Sequence, residues 1–463
     1  MVVEEDICMS SLSSLKRGLI AAGLLTVGLT IWRGAGERSA GPVSTGPSPA
    51  LPEPYVGWPP TLNFSKAEPW PEGAHPNAPP GFKVTRFAAN LDHPRWLYML
   101  PNGDILVAES STVPRAPKSL NERIGFWLQG RAGVIEPSAN RITLLREANG
   151  DGVVTYRGTF RAGLNQPFGM VLVGNDFYVA DTDGVWRFPY HDGDLSIHGK
   201  GERILDLPVG GYNNHWTRNI VVNAKHTKLY ITVGSGSNDG EHGVDNEFHR
   251  ADILEANLDG SGLRVFASGM RNPVGMAWAP ASEALWTVVN ERDMMGNDLV
   301  PDYLTRVHEG AFYGWPYSYW GKYVDPGLKD SFGRHIDPAI KSERPDLVAT
   351  SVTPDYSLGA HVAPLGLTFY SADSFPSHYL GGVFIGEHGS WNRKPFSGYK
   401  IVFIPFRGGL PDGTPEDFLT GFMPREKDSA AYGRPVGLTV DGAGALLVAD
   451  DTGNMIWRVS VDQ

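Results

Sequence analysis

The chain has 463 residues, 41% hydrophobic and 20% charged, which excludes a disordered polymer and suits a folded body with a sizeable core. Its formal net charge is −11 and no basic run exceeds Lys16-Arg17, which argues against a nucleic-acid surface. The single cysteine, Cys8, precedes any expected folded region, so neither a disulfide nor a cysteine metal site is expected in the fold.

In chain order, Lys16-Arg17 is followed by an uncharged apolar run from Gly18 to Trp32. A basic flank before a short apolar run reads as a secretory signal or a short membrane anchor within residues 1–40. The run is short for a comfortable membrane span. Either reading places the body outside the cytoplasm, in the periplasm or anchored facing it. Residues 41–80 are dense in proline and poor in apolar periodicity, an extended linker or a surface strap. The domain proper is expected at 81–463.

From Gly81 onward, short β-rich runs alternate with Gly, Asn, Asp and Pro turns, and no long amphipathic helix is apparent. One pattern recurs six times: polar residues and proline, a hydrophobic strand, a turn, then a strand ending in small or acidic residues. The copies begin with HPRWLYM at 93, QPFGMVL at 166, NHWTRNI at 214, NPVGMAW at 272, APLGLTF at 363 and RPVGLTV at 434. Six such repeats predict an all-β, six-bladed β-propeller, in which each sheet buries both faces against its neighbours. The first strand of each blade lines the central channel. The polar residues preceding it should therefore converge on one mouth: Arg95, Gln166, His215, Arg271 with Asn272, His361 and Arg434. Cations and imidazoles gathered in one place call for an anionic or polar ligand.

The motifs GMRNPVGMAWAP at 269–280, VVNERD at 288–293, FYGWP at 312–316, NNH at 213–215 and GRPVGL at 433–438 occur in order at consistent blade positions. In these the chain resembles the sugar dehydrogenases that depend on pyrroloquinoline quinone (PQQ), over roughly residues 82–463. That family includes soluble glucose dehydrogenase, aldose sugar dehydrogenase and the sorbosone dehydrogenase-like proteins. GEHGSWNR at 386–393 looks closest to the sorbosone branch.

The resemblance implies PQQ and calcium (Ca2+) as cofactors, a sugar substrate and a separate electron acceptor, since no haem-attachment motif is present. It casts His215 as the base that takes the sugar hydroxyl proton, a task an imidazole suits because its pKa lies near neutrality. The family's carboxylate neighbour of that histidine is Asn214 here. By resemblance Arg271 and Asn272 contact the quinone and Arg434 a cofactor carboxylate; Arg393 or Lys394 replaces a family lysine. Arg95 and His361 fall at further cofactor positions, and Tyr432 replaces a family arginine. Asp298, Tyr313 and Asp325 match the calcium site, with Asp293 and Asp302 nearby; an irregular acidic loop suits a hard cation. Tyr356 aligns with a substrate-contact tyrosine, while Gly359 stands where the glucose enzymes have tryptophan. EHGVDNEFHR at 241–250 reads as a blade-rim insertion beside the substrate cleft. A calcium-dependent propeller hydrolase and a binding propeller with a decayed cofactor pocket are the alternatives.

Overall fold

The computed structural model describes residues 44–55, 61–113, 115–117, 120–210, 212–280, 282–327 and 344–462. Six four-stranded antiparallel sheets form a six-bladed β-propeller. The inner strands are Pro94–Met99, Met170–Val173, Ile220–Val222, Asn272–Trp278, Pro364–Phe369 and Pro435–Val440, one at the head of each repeat. They pack against one another in chain order, and Pro435–Val440 returns to Pro94–Met99. The first five blades take all their strands in sequence. Blade 6 takes its outermost strand, Phe82–Ala89, from the start of the domain and pairs it with Met455–Val461. Both ends of the ring thus share one sheet, and the circle closes through main-chain hydrogen bonds.

The repeated Pro-x-Gly has a packing cause. In four blades the inner strand carries a proline at its first or second position, where a missing N–H costs the ladder little, and the register slips immediately after it. In blades 4, 5 and 6 a glycine two residues on meets the inner strand of the next blade. A Cβ on Gly275 would fall 2.8 Å from the Leu367 Cβ, one on Gly437 2.6 Å from the Arg95 carbonyl, and one on Gly366 inside contact distance of the Val436 carbonyl. The small residue sets how closely blades approach around the axis.

The acidic residues ending the second strands are also structural. Asp181 accepts the Asn165 backbone N–H and Asp450 accepts the Arg434 backbone N–H, both at 2.8 Å. Glu109 does the same for Asp92 at 2.5 Å. Each carboxylate ties down the turn that leads into the inner strand of its own blade.

Where it is described, the 41–80 segment lies as a strap across blades 4 to 6. Gly46 bridges Ser357, Asn63 donates to the Trp391 carbonyl at 2.8 Å, and Lys66–Ala67 pairs in parallel with Ala430–Ala431. The apolar run at 18–32 lies outside the described residues. Among the described residues no helix is long and apolar enough to cross a membrane. One twelve-residue helix, α1 (Leu120–Arg131), is inserted between the second and third strands of blade 1. It was not apparent in the sequence pattern because none of its described side chains is fully buried, so no apolar stripe marks it.

Candidate active site

The turns that precede the inner strands, together with the first residues of those strands, place Arg95, His215, Arg271, Asn272, His361 and Arg434 around one cavity of about 250 Å³. A wider cleft of about 940 Å³ shares His215, Trp216, Arg271 and Asp293 with it, and is walled by Phe126, Gln129, Tyr212, Glu241 and Trp391. Gln166 lines this outer cleft. Phe64 of the strap stacks on Trp391, ring centroids 5.4 Å apart, and both rings line the inner cavity.

His215 is oriented through its Nδ1 edge. Nδ1 lies 2.8 Å from the Ser235 carbonyl and 3.0 Å from the Ser235 hydroxyl. A carbonyl can only accept, so Nδ1 carries the hydrogen and Nε2 keeps its lone pair. Burial, reinforced by the Arg271 charge, pushes the imidazole pKa down to about 3, against the opposing pull of Asp293 and Glu241. The ring is therefore neutral across the physiological range. Asn214 is exposed, and its backbone N–H donates to the Gly236 carbonyl at 3.3 Å.

Arg271 is held by five contacts: the carbonyls of Asn238, Asn290 and Glu291, the Asn238 side-chain oxygen, and Asp293 at 3.1 Å. Asp293 also lies 3.4 Å from His361 Nδ1. Burial opposes ionisation of Asp293, but His361 and Arg271 outweigh it and lower its pKa. His361 shows the converse: burial lowers its pKa, Asp293 outweighs burial, and the net shift is upward. Its Nε2–H donates to the Gly296 carbonyl at 2.9 Å.

Across the cavity, Asp451 gathers Arg95, His388 at 2.8 Å and His93 at 3.5 Å. Burial pushes the Asp451 carboxyl up, but His388, His93 and Arg95 hold it well below the usual carboxylate range. Arg434 has no carboxylate partner among the described residues. It donates to Ser65 at 2.6 Å and Tyr399 at 2.9 Å, and lies over the Tyr399 ring. The Nε atoms of Arg95 and Arg434 are buried without a hydrogen-bond partner, as is Asn272 Oδ1. Two guanidiniums facing one carboxylate leave this wall with surplus positive charge and free donors. That is what a ligand bearing carboxylates would satisfy.

The TrAA12-like family model matches residues 129–462. The chain belongs to the TrAA12-like family. Among its relatives, the aldose sugar dehydrogenase YliI of Escherichia coli strain K12 is 26% identical over 67% of this chain and 78% of its own length. The pyrroloquinoline quinone-dependent pyranose dehydrogenase of Coprinopsis cinerea is 26% identical over 61% of this chain, a match spanning 44% of that enzyme. The solved PQQ domain of the Coprinopsis cinerea enzyme, in holo form, superposes with a TM-score of 0.63 at 20% identity, covering 88% of this chain and 100% of that one. The Trichoderma reesei family AA12 enzyme gives 0.64 at 20% identity, covering 87% and 99%. These structures bear on the fold.

Within this TrAA12-like chain the expected site residues divide. Arg95, Asn214, His215, Arg271, Asn272, His361 and Arg434 share the cavity. Arg393 does not line it: it is buried in the loop between the second and third strands of blade 5 and pairs with Asp298 at 2.9 Å. The expected calcium carboxylates do not converge. Asp298 is taken by Arg393, Asp325 by Arg292 at 3.2 Å, and the Tyr313 hydroxyl donates to the Arg306 carbonyl. Among the described residues no three His, Cys, Asp or Glu side chains gather as a metal site. Asp298 and Asp325 each balance an arginine, whereas Tyr313 is expected to offer its backbone carbonyl, which the hydroxyl contact leaves untouched. Tyr356 lies on the outermost strand of blade 4, its hydroxyl donating to the Gly413 carbonyl at 2.9 Å, away from the mouth.

Four contributors were not picked out as site residues: Asp293, assigned to the calcium loop, and Ser235, His388 and Asp451. His388 and Asp451 each follow the acidic residue that ends a second strand, Glu387 and Asp450. That repeat position was the signal available for them.

Proposed function

We propose that this chain oxidises a sugar or sugar-derived alcohol or aldehyde, aldose or sorbosone-like, with PQQ held in the inner cavity. The observation that carries the reading is the surplus cationic wall formed by Arg95 and Arg434, whose buried Nε donors have no partner. A neutral lactone would give these charges nothing to pair with. Arg95, Asn272 and Arg434 would hold the cofactor. PQQ, when bound, supplies a two-electron acceptor for a hydride.

The chain's own residues do the rest. His215 Nε2 accepts the hydroxyl proton, and the Ser235 carbonyl fixes the tautomer that leaves this lone pair free. A main-chain oxygen thus orients the ring where the neighbouring Asn214 supplies no charge. Arg271 presents a fixed positive charge beside His215, and Asp293 and His361 hold it in place. A preorganised charge of this kind stabilises negative charge developing on a reacting oxygen. Phe64, Trp391 and α1 narrow the approach and exclude water. The calcium expectation finds no converging ligand set, and no step is assigned to it. Export to the periplasm is part of the proposal on the strength of the 18–32 run alone.

The test is reconstitution. Purified chain mixed with PQQ, with and without calcium, is assayed for dye reduction with aldoses, sorbosone and alditols. Turnover of at least one of these is expected. PQQ binding with no turnover of any would favour the decayed binding module.

A further inference from the structure

A second surface feature adjoins the cavity on its outer side. Helix α1 turns Gln129 and Phe126 toward the clefts. Leu120, Ile124 and Trp127, spaced four and three residues apart on another face, are 69%, 43% and 60% exposed. Ile124 and Trp127 form one wall of a separate groove, and strap residues Thr61 to Lys66 form the other. The groove is rimmed by Lys66, Arg131, Lys394 and Lys427, with Asp428 the one acid in its lining. Lys66 is paired with Glu68 at 2.9 Å. Arg131 lies over the Trp127 ring at 5.0 Å, and Arg131, Lys394 and Lys427 have no carboxylate partner among the described residues. On a chain of net charge −11, this is a local concentration of unbalanced positive charge around exposed apolar rings.

Phe64 connects the two places. It lines both this groove and the inner cavity, and stacks on Trp391, which lines the cavity from within. The Phe64–Trp391 pair thus joins the groove to the site.

We propose that this groove docks a small one-electron carrier protein with an acidic face, and that electrons leave the site past Phe64 and Trp391. The proposal rests on the redox reading of the cavity. Each sugar oxidised gives up two electrons and two protons. The carrier takes the electrons in two successive visits, each reducing one oxidised carrier, and the protons pass to solvent. Apolar rings ringed by like charge suit such brief encounters: charge steers approach, and a small contact area lets the reduced carrier leave.

The experiment compares acceptors on the PQQ-loaded chain. Plastocyanin, an acidic copper protein, should accept electrons at a rate that falls steeply with salt, and mitochondrial cytochrome c, which is basic, should be the poorer acceptor. The double variant Arg131→Gln/Lys427→Glu should slow plastocyanin reduction about tenfold at low salt. It should leave reduction of benzoquinone, a small neutral acceptor, within twofold of the parent. Equal plastocyanin rates in parent and variant, or rates indifferent to salt, would overturn the docking site. So would binding of the parent chain, lost in Trp127→Gln, to vesicles of phosphatidylcholine and phosphatidylglycerol in equal parts, since the face would then seat on a membrane. No turnover with benzoquinone would instead bring down the redox reading itself, and the docking site with it.

Discussion

The Ser235 carbonyl oxygen accepts a hydrogen bond from His215 Nδ1 at 2.8 Å. This contact sets which nitrogen faces the cavity; by itself it favours protonation, but burial and the Arg271 charge outweigh it and push the imidazole pKa down to about 3. A group with a lowered pKa holds its unprotonated form until the pH falls to that pKa. The acid limb of kcat/KM should therefore lie well below the ordinary histidine value of about 6.5. His215→Ala should lose about a hundredfold or more in kcat. Ser235→Ala, which keeps the carbonyl, should stay within about tenfold. An acid limb centred on the ordinary histidine pKa would contradict this account of the base.

Asp298 is a partner of Arg393 in this structure, 2.9 Å away, rather than a member of a converging metal site. Asp298→Asn should destabilise the chain by roughly 2 kcal/mol, between the values for exposed and fully buried pairs. Chemical denaturation measures that loss. The calcium concentration giving half-maximal activity on reconstitution, if there is a calcium requirement, should be the same in variant and parent. A large rightward shift in the variant would return Asp298 to a metal site.

Buried carboxyls make the fold sensitive to alkali. Burial pushes Asp181, Asp252 and Glu387 up to about 8. Asp181 Oδ1 and Glu387 Oε2 also lack partners, as expected of neutral acids. In the unfolded chain these groups titrate near pH ~4. A raised folded pKa adds stability that is complete below the unfolded value and is lost as pH rises through the folded one. The buried His93, His215 and His388, with lowered pKa values, act in the opposite sense at acid pH, but are neutral in both states above their unfolded value. Tm should therefore fall between about pH 6.5 and about pH 8.5. Asp181→Asn, which keeps an acceptor for the Asn165 N–H, should flatten that fall.

Gly366 sits where blades 5 and 6 touch, with the Val436 carbonyl and the Leu438 side chain in the space a Cβ would need. Main chain cannot swing aside as a flexible side chain can. Gly366→Ala should cost about 3 kcal/mol by overpacking, read as a lower denaturation midpoint. Gly442→Ala, in open space with no neighbour within 4 Å, should cost far less and serves as the control.

The six blades were legible because five restart on a proline that needs no ladder N–H, and four of these follow it two residues on with a glycine small enough to meet the next blade. The mouth residues were legible because they stand within three residues of the start of their repeat. The strap could be read as polar and proline-rich, but not its course, because Ser65 meets Arg434 across 369 residues. Tyr356 follows the inserted segment between the third and fourth strands of blade 4, and no periodicity marks where the chain rejoins the sheet. The acidic loop at 291–302 offered carboxylates for calcium, yet Asp293 meets Arg271 and Asp298 meets Arg393, arginines from two other places in the chain. Charge balance across such distances is a property of the fold and is not written in local spacing. Helix α1 left no pattern because it hangs over the mouth rather than packing into a core.

In the proposed function, Arg95 and Arg434 would hold an anionic redox cofactor in the inner cavity. The most direct test of this is titration of the purified chain with PQQ, followed by calorimetry, alongside Arg434→Gln. The account predicts one PQQ per chain, with affinity about tenfold or more weaker in the variant, as expected for removing a charge-assisted hydrogen bond. Absence of PQQ binding by the parent chain, or equal affinity in parent and variant, would contradict it.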